Sequence, residues 1–404
     1  MKPYNNPLKL TISAGIFMLL SCSSGKHISQ SPVNTDLTSL KFTVEAADDW
    51  SDLFYRKSGW FGADGIFAIA KNGVDTAGAG KDSETTLLFS DTMFGDIVDD
   101  SLQPGYTMVH NSVAIIKGNE PVKDNIRFYV NKKADGTPES MFIPNTPNTK
   151  PGDYFWLGDG FVNPAKNNAT YIFGYRIHDT STAVFGFGEF GNVLIKIPQG
   201  SKPPYSDQQQ MDTPFFLAGT TDIQGSFGAC IFPNIKAAGY KTADGYVYVY
   251  GLRGKEKNVM VARVLPKDFE EFDKWRFWDG STWNKDISKV ANITNHASNE
   301  LSVCPLPDGR YAMVFQTDGI GRGVGLRLSN HPQGPFGPII KLWECKEPDI
   351  AKNFIVYNAK AHTNLSNPNE LLISYNVNSF DFWNDIKVYP NLYRPRFIRV
   401  KLLQ

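Results

Sequence analysis

The sequence predicts an all-β chain folded as a five-bladed β-propeller, on three observations. Apolar runs are short and separated by dense punctuation, with 35 Gly and 25 Pro in a chain that is 41% hydrophobic and 13% aromatic. An apolar strand followed by a turn and an aromatic strand recurs three times, from Cys230 to Gly251, Leu301 to Gln316 and Ala359 to Tyr375. The spacing of roughly 60 to 70 residues suits four-stranded blades, of which the chain after its leader holds about five.

Taken in order, the strands expected are 66–70, 85–90, 108–117, 126–130, 154–158, 169–175 and 192–197, then 227–232, 245–252, 259–264, 301–305, 311–316, 323–328, 359–362, 371–376 and 397–401. Each is a β-rich run bounded by turn residues. One helix is expected over 266–274, where Pro266 suits a first turn and acids follow. Cys230 and Cys304 lie in apolar runs and read as buried thiols, with one optional pair among Cys230, Cys304 and Cys345.

The N-terminus reads as an export signal. Lys2 and Lys9 precede an apolar stretch over 10–20 that ends in Leu19-Leu20-Ser21-Cys22, the form of a bacterial lipobox. Residues 1–21 are then a cleaved signal peptide, Cys22 carries the lipid, 22–44 form a polar tether and 45–404 the propeller domain. The expected location is the periplasm or outer-membrane surface, with the membrane reached through the lipid. Lys plus Arg equals Asp plus Glu, 41 each, which gives no electrostatic case for nucleic acid.

Two aspartate motifs carry the chemistry: Gly62-Ala63-Asp64-Gly65 and Leu88-Phe89-Ser90-Asp91-Thr92, each an acid among small residues at the end of an apolar run. Asp before Gly is also an ordinary turn signal. As a pair, flanked by Trp60, Phe61, Met93 and Phe94, they suggest glycoside hydrolysis, which needs one protonated carboxyl and one ionised carboxylate. Asp64 is assigned base or nucleophile and Asp91 the other partner. Asp159 in Trp156-Leu157-Gly158-Asp159-Gly160 and Glu300 before the 301 strand are candidates for a third acid that tunes these groups or holds sugar hydroxyls. Glu189, in a glycine-aromatic loop, either lines a cleft or turns the chain.

Trp156, Tyr357 and Tyr375 are expected to offer ring faces to sugars, together with Phe187 and Trp383. Arg322, at the tip of a glycine-rich loop with no helix after it, is a substrate contact rather than part of a phosphate loop. The histidines lack zinc spacing, so no metal is expected, although the axis leaves room for a calcium ion beside His362.

The elements Gly62-Ala63-Asp64-Gly65, Phe89-Ser90-Asp91-Thr92, His110-Asn111-Ser112, Tyr357-Asn358-Ala359-Lys360-Ala361-His362 and Leu371-Leu372-Ile373-Ser374-Tyr375, in this order, resemble the propeller family known as domain of unknown function 4185. That family includes the endo-D-arabinanases of glycoside hydrolase family 183, and the resemblance covers most of residues 55–401. It implies a propeller fold, catalysis by Asp64 and Asp91, and Asn111 among the substrate-binding positions. The sequence departs from the family pattern at Ser90, where glycine is usual, and by an insertion at Asn72-Gly73 and 77–82 expected to reshape the cleft.

The expected function is cleavage of arabinofuranosyl linkages in an arabinan-type polysaccharide by a monomeric enzyme. The alternative is a non-catalytic carbohydrate-binding propeller. A sialidase would carry an arginine cluster and repeated Asp boxes, and neither occurs.

Overall fold

The computed structural model describes Met1, residues 35–182 and residues 186–403. The signal peptide, Cys22 and the first part of the expected tether lie outside the described residues. Within them the chain is all-β and its antiparallel sheets follow one another in a propeller-like arrangement. Sheet I runs Phe67–Ala70, Glu84–Phe89, Ser112–Lys117, Ile126–Tyr129, and sheet II runs Tyr154–Asn163, Ala169–Asp179, Phe187–Ile197, Gln209–Asp212. Sheet III centres on Gly225–Asn234, Tyr246–Arg253 and Asn258–Val264; sheet IV is Leu301–Pro305, Tyr311–Gln316, Gly323–Ser329, Ile340–Glu344. Sheet V is Phe354–Ala361, Glu370–Ser379 and Arg396–Leu402, completed by the N-terminal strand Phe42–Ala46.

The first long strand of each sheet faces a common axis. Phe67–Ala70 packs on Tyr154–Asn163, that strand on Gly225–Asn234, then Leu301–Pro305, then Phe354–Ala361. The turn Thr363–Leu365 returns the ring to Phe67–Ala70. Residues of all five strands line a cavity of about 50 Å³, room for a water or two. Because these strands are covered on both faces they read as near-continuous apolar runs, and all ten residues of Gly225–Asn234 are buried.

Three axial strands carry a bulge at the same height, skipping Gly158-Asp159, Gly228-Ala229 and Asn358-Ala359. A bulge re-aims side chains at the cost of ladder bonds, and here Asp159 replaces two of them by accepting from the Gly160 amide at 2.8 Å and the Ile231 amide of the next sheet at 2.7 Å. Glycine is required at Gly228, where φ is +113° and a Cβ would stand 2.6 Å from Phe173.

Closure depends on the N-terminal strand, which pairs from Phe42 with Leu402 to Ala46 with Ile398. Upstream of it, buried Arg310 donates to the carbonyls of Asp36 and Ser39. The folded domain therefore begins before residue 45, and 36–44 are not tether: backbone groups here are spent on the sheet and on Arg310.

The helix expected over 266–274 is instead two 3-10 turns, Pro266–Asp268 and Phe272–Lys274, because Trp275 and Phe269 turn inward to the core. Two short α-helices, Asp48–Leu53 and Phe382–Val388, had no expectation. Cys230, Cys304 and Cys345 are all free and buried. No helix among the described residues is long and apolar enough to cross a membrane.

Removing residues through Ala46 leaves the edge of Arg396–Leu402 unpaired and strips Arg310 of its carbonyls. The truncated chain should melt ~5 °C or more below one that starts just before Asp36, and equal melting temperatures by calorimetry would show that closure does not need this strand.

Candidate active site

A small sheet built on either side of the first two strands of sheet I carries the aspartates. Ser58–Ala63 pairs with Thr92–Val98, from Ser58 with Asp96 to Ala63 with Thr92, so the two aspartate motifs are brought to one corner. The Asp64 amide donates to the Asp91 carbonyl at 3.2 Å and the Ser90 amide to the Asp64 carbonyl at 2.9 Å. Ser90, the residue that departs from the family pattern, accepts from the Leu157 amide at 3.0 Å and so ties this corner to sheet II. Gly65 must lack a side chain, since φ is +64° and a Cβ would sit 2.7 Å from Ser90 Oγ.

The two carboxyls are held in different ways. Asp64 Oδ2 accepts from the Tyr357 hydroxyl at 2.6 Å, Tyr393 faces it as well, and Oδ1 is buried without a partner among the described residues. Burial, then the charge of Asp91, pushes the Asp64 carboxyl up to about 8 despite the tyrosine hydrogen bonds, so it holds a proton at neutral pH. Asp91 Oδ1 accepts from Trp156 Nε1 at 3.1 Å and stands 3.0 Å from His110 Nδ1. His110 is fixed by stacking on Tyr154 with ring centroids 3.6 Å apart.

Glu300 lies in the same acid set, close enough for its charge to reach Asp64. It accepts from Asn358 Nδ2 at 2.8 Å and abuts Lys360 Nζ as a buried ion pair. Desolvation still raises its carboxyl above the usual range, against the pull of Lys360. Lys360 also lies over the Phe67 ring at 4.6 Å.

The other expected residues have other surroundings. Asn111 donates to the Phe142 and Phe155 carbonyls at 2.9 and 3.0 Å and accepts from the Phe142 amide at 2.7 Å, so both its donors are spent and full burial keeps it from substrate. Asp159 caps the bulge, and burial pushes it up to about 7. His362 is buried against Ser374 Oγ at 2.7 Å and burial holds it down at about 3, hence neutral. Lys360 puts a positive charge beside it, which opposes a cation at that point, and no group of three or more His, Cys, Asp or Glu among the described residues is arranged for a metal. Tyr375 donates to Glu347 at 3.0 Å, and Arg322 pairs with Asp349 at 2.7 Å; neither has a contact with the aspartates.

The insertion lies at the opposite end of the axis from Asp64. It follows the end of Phe67–Ala70, where Gly78 and Gly80 donate to the Ser366 and Asn364 carbonyls and Asp75 meets the Tyr240 hydroxyl. It plugs the axis instead of reshaping the cleft.

Sequence reasoning passed over Tyr393, which reaches Asp64 from a loop after Phe382–Val388, and Lys360, whose position inside the Tyr357–His362 motif was a usable signal.

A propeller-like all-β fold with an acid-lined corner over its axis defines the class of protein. The chain belongs to the family described as Domain of unknown function (DUF5005), whose model matches residues 47–402. Among solved structures, one from Bacteroides ovatus ATCC 8483, described provisionally as a hydrolase, shares the fold with a TM-score of 0.67 at 20% identity, covering 92% of this chain and 97% of its own. An α-L-arabinofuranosidase from Podospora anserina covers 90% of this chain and 98% of its own at 11% identity with a TM-score of 0.43. An exo-β-1,3-galactanase from Phanerochaete chrysosporium covers 81% and 63% at 8% identity with a TM-score of 0.42. No curated protein matches in sequence.

Asp64 and Glu189, each pushed up to about 8, and Asp75 and Asp159, each to about 7, hold protons that the unfolded chain releases near pH 4. The folded state binds more protons between pH ~4 and ~8, so this stabilisation is complete below pH ~4 and is lost as pH rises through the folded values. Among these groups' effects, Asp64→Asn should remove part of the decline and melt at or above wild type at pH 8. A wild-type melting temperature that climbs from pH 5 to pH 8, with the variant below it, would contradict this.

Proposed function

We propose that this protein is a glycoside hydrolase in which sheets I to V are the blades of a five-bladed propeller and Asp64 and Asp91 are the catalytic pair. One observation carries the reading: two carboxyls share one corner, one raised to about 8 by burial, the other accepting from Trp156 and standing beside His110. Asp64 thereby supplies the protonated acid that glycosidic cleavage requires, with Asp91 as the second carboxyl of the pair. Asp64 gives its proton to the leaving oxygen as the glycosidic bond breaks. Asp91 removes a proton from the incoming water or attacks the sugar carbon itself. This reverses the roles that the motifs alone suggested for the two residues, because burial favours the proton on Asp64.

Tyr357, held in turn by Asn378 Nδ2 at 3.3 Å, keeps Asp64 in place. Trp156, with Phe187 edge-on at 4.6 Å, offers an aromatic wall beside Asp91. The substrate proposed is an arabinofuranose-containing polysaccharide, with endo-acting D-arabinanase as the specific activity, on the resemblance to the family 183 propellers. The same reading makes the chain an exported, monomeric lipoprotein anchored through Cys22.

Asp64→Asn and Asp91→Asn should each lower turnover on arabinan by ~10²–10⁴-fold while melting cooperatively. Release of oligosaccharides from a panel of arabinans measures it. Turnover at the wild-type rate in both variants would reject the pair, and glycan binding without turnover in the wild type would make the protein a binding propeller.

A further inference from the structure

Glu189 is a partly buried acid that the paired-aspartate chemistry does not use. It stands two residues after Phe187 on one strand, so the two side chains share a face. Phe187 lies edge-on to Trp156, whose Nε1 binds Asp91. Glu189 Oε1 is shielded from solvent and has no partner among the described residues, while the Ser226 hydroxyl is its one side-chain hydrogen bond. A buried carboxyl oxygen left unpaired is costly and is rarely retained without a role.

The charges around it are accounted for. Tyr175, on the neighbouring strand, feels Glu189, Glu300 and Asp159 together, which places these acids around one phenol. Arg176 is committed to Asp212 at 3.0 Å, to Asp153 at 3.6 Å and to the Phe190 carbonyl at 2.9 Å. Lys360 is committed to Glu300. Gln224 reaches only the Glu189 carbonyl, at 3.4 Å. With no cation among the described residues facing it, burial pushes the carboxyl up to about 8, and at neutral pH it is a hydrogen-bond donor.

We propose that Glu189 is a substrate-binding residue whose carboxyl hydrogen-bonds a sugar hydroxyl beside Trp156 and Phe187, and that this acid-lined mouth accepts neutral glycans and rejects uronates. The proposal rests on reading the mouth as a glycan cleft. The aromatic pair Trp156 and Phe187 supplies a surface for the C–H face of a sugar, Glu189 supplies a donor for its hydroxyl, and the committed cations leave nothing to neutralise a sugar carboxylate.

The test is calorimetric titration of the full chain with a neutral arabino-oligosaccharide and with a galacturonate oligomer of equal length, at pH 7 and pH 9. Wild type should bind the neutral oligomer ~10-fold or more tighter than the uronate and lose ~10-fold between pH 7 and 9. Glu189→Ala should weaken neutral binding ~10-fold at pH 7, whereas Glu189→Gln, which keeps a neutral donor, should restore it and leave at pH 9 only the smaller loss that Asp64 contributes. A pH loss as large in Glu189→Gln as in wild type, or equal affinity for the uronate, would overturn the proposal. Hydrolysis that ignores Glu189 would remove this role and leave the hydrolase reading standing. Binding that depends on Glu189 without any turnover would do the reverse.

Discussion

The pairing of the Asp64 backbone with Ser90 and Asp91 is the constraint from which the rest of the site follows. The motifs over residues 62–65 and 88–92 are joined by amide-to-carbonyl bonds at 3.2 and 2.9 Å, which fix the origins of both aspartate side chains. Ser90 then fastens the corner to sheet II through the Leu157 amide. Once the two acids are neighbours, burial and mutual repulsion decide between them: both cannot be charged at low cost, and Asp64, deeper and facing tyrosines, keeps the proton.

The chain has no net charge, with 41 cations against 41 anions, yet the mouth is acidic. The balance is local. Lys360 sits under the mouth against Glu300, Arg176 is enclosed by Asp153 and Asp212, and Arg322 is held at the rim by Asp349. Positive charge is thus consumed by structural pairs. Among the described residues no cation pairs with Asp64 or Glu189, and Asp91 accepts from Trp156 and stands beside His110. The three bulges serve this arrangement, since one of them turns Asn358 toward Glu300 and another lets Asp159 cap the next sheet.

Much of this was legible in the sequence, for reasons that differ by residue. The repeated hairpins from Cys230, Leu301 and Ala359 are the first two strands of sheets III, IV and V, readable because axial strands buried on both faces are apolar throughout. Asp64, Asp91, Trp156 and Tyr357 stood out as acids and aromatics beside small residues, and the structure brings them together. Asn111, His362 and Tyr375 carried the same kind of signal but spend their polar atoms on the fold, and nothing in a single sequence separates a satisfied buried amide from a free one. Tyr393 and the helix Phe382–Val388 were illegible because their role depends on a loop folding back over another strand. The start of the domain was misplaced because Phe42–Ala46 is half-exposed edge strand, with little apolar pattern to mark it.

The central claim is that Asp64 holds a proton at neutral pH beside Asp91. NMR titration of the side-chain carboxyl carbons in wild type and in Asp64→Asn tests it directly. The resonance absent from the variant should titrate near pH 8 in the wild type. A resonance that titrates near pH 4, as an unperturbed aspartate does, would contradict the account.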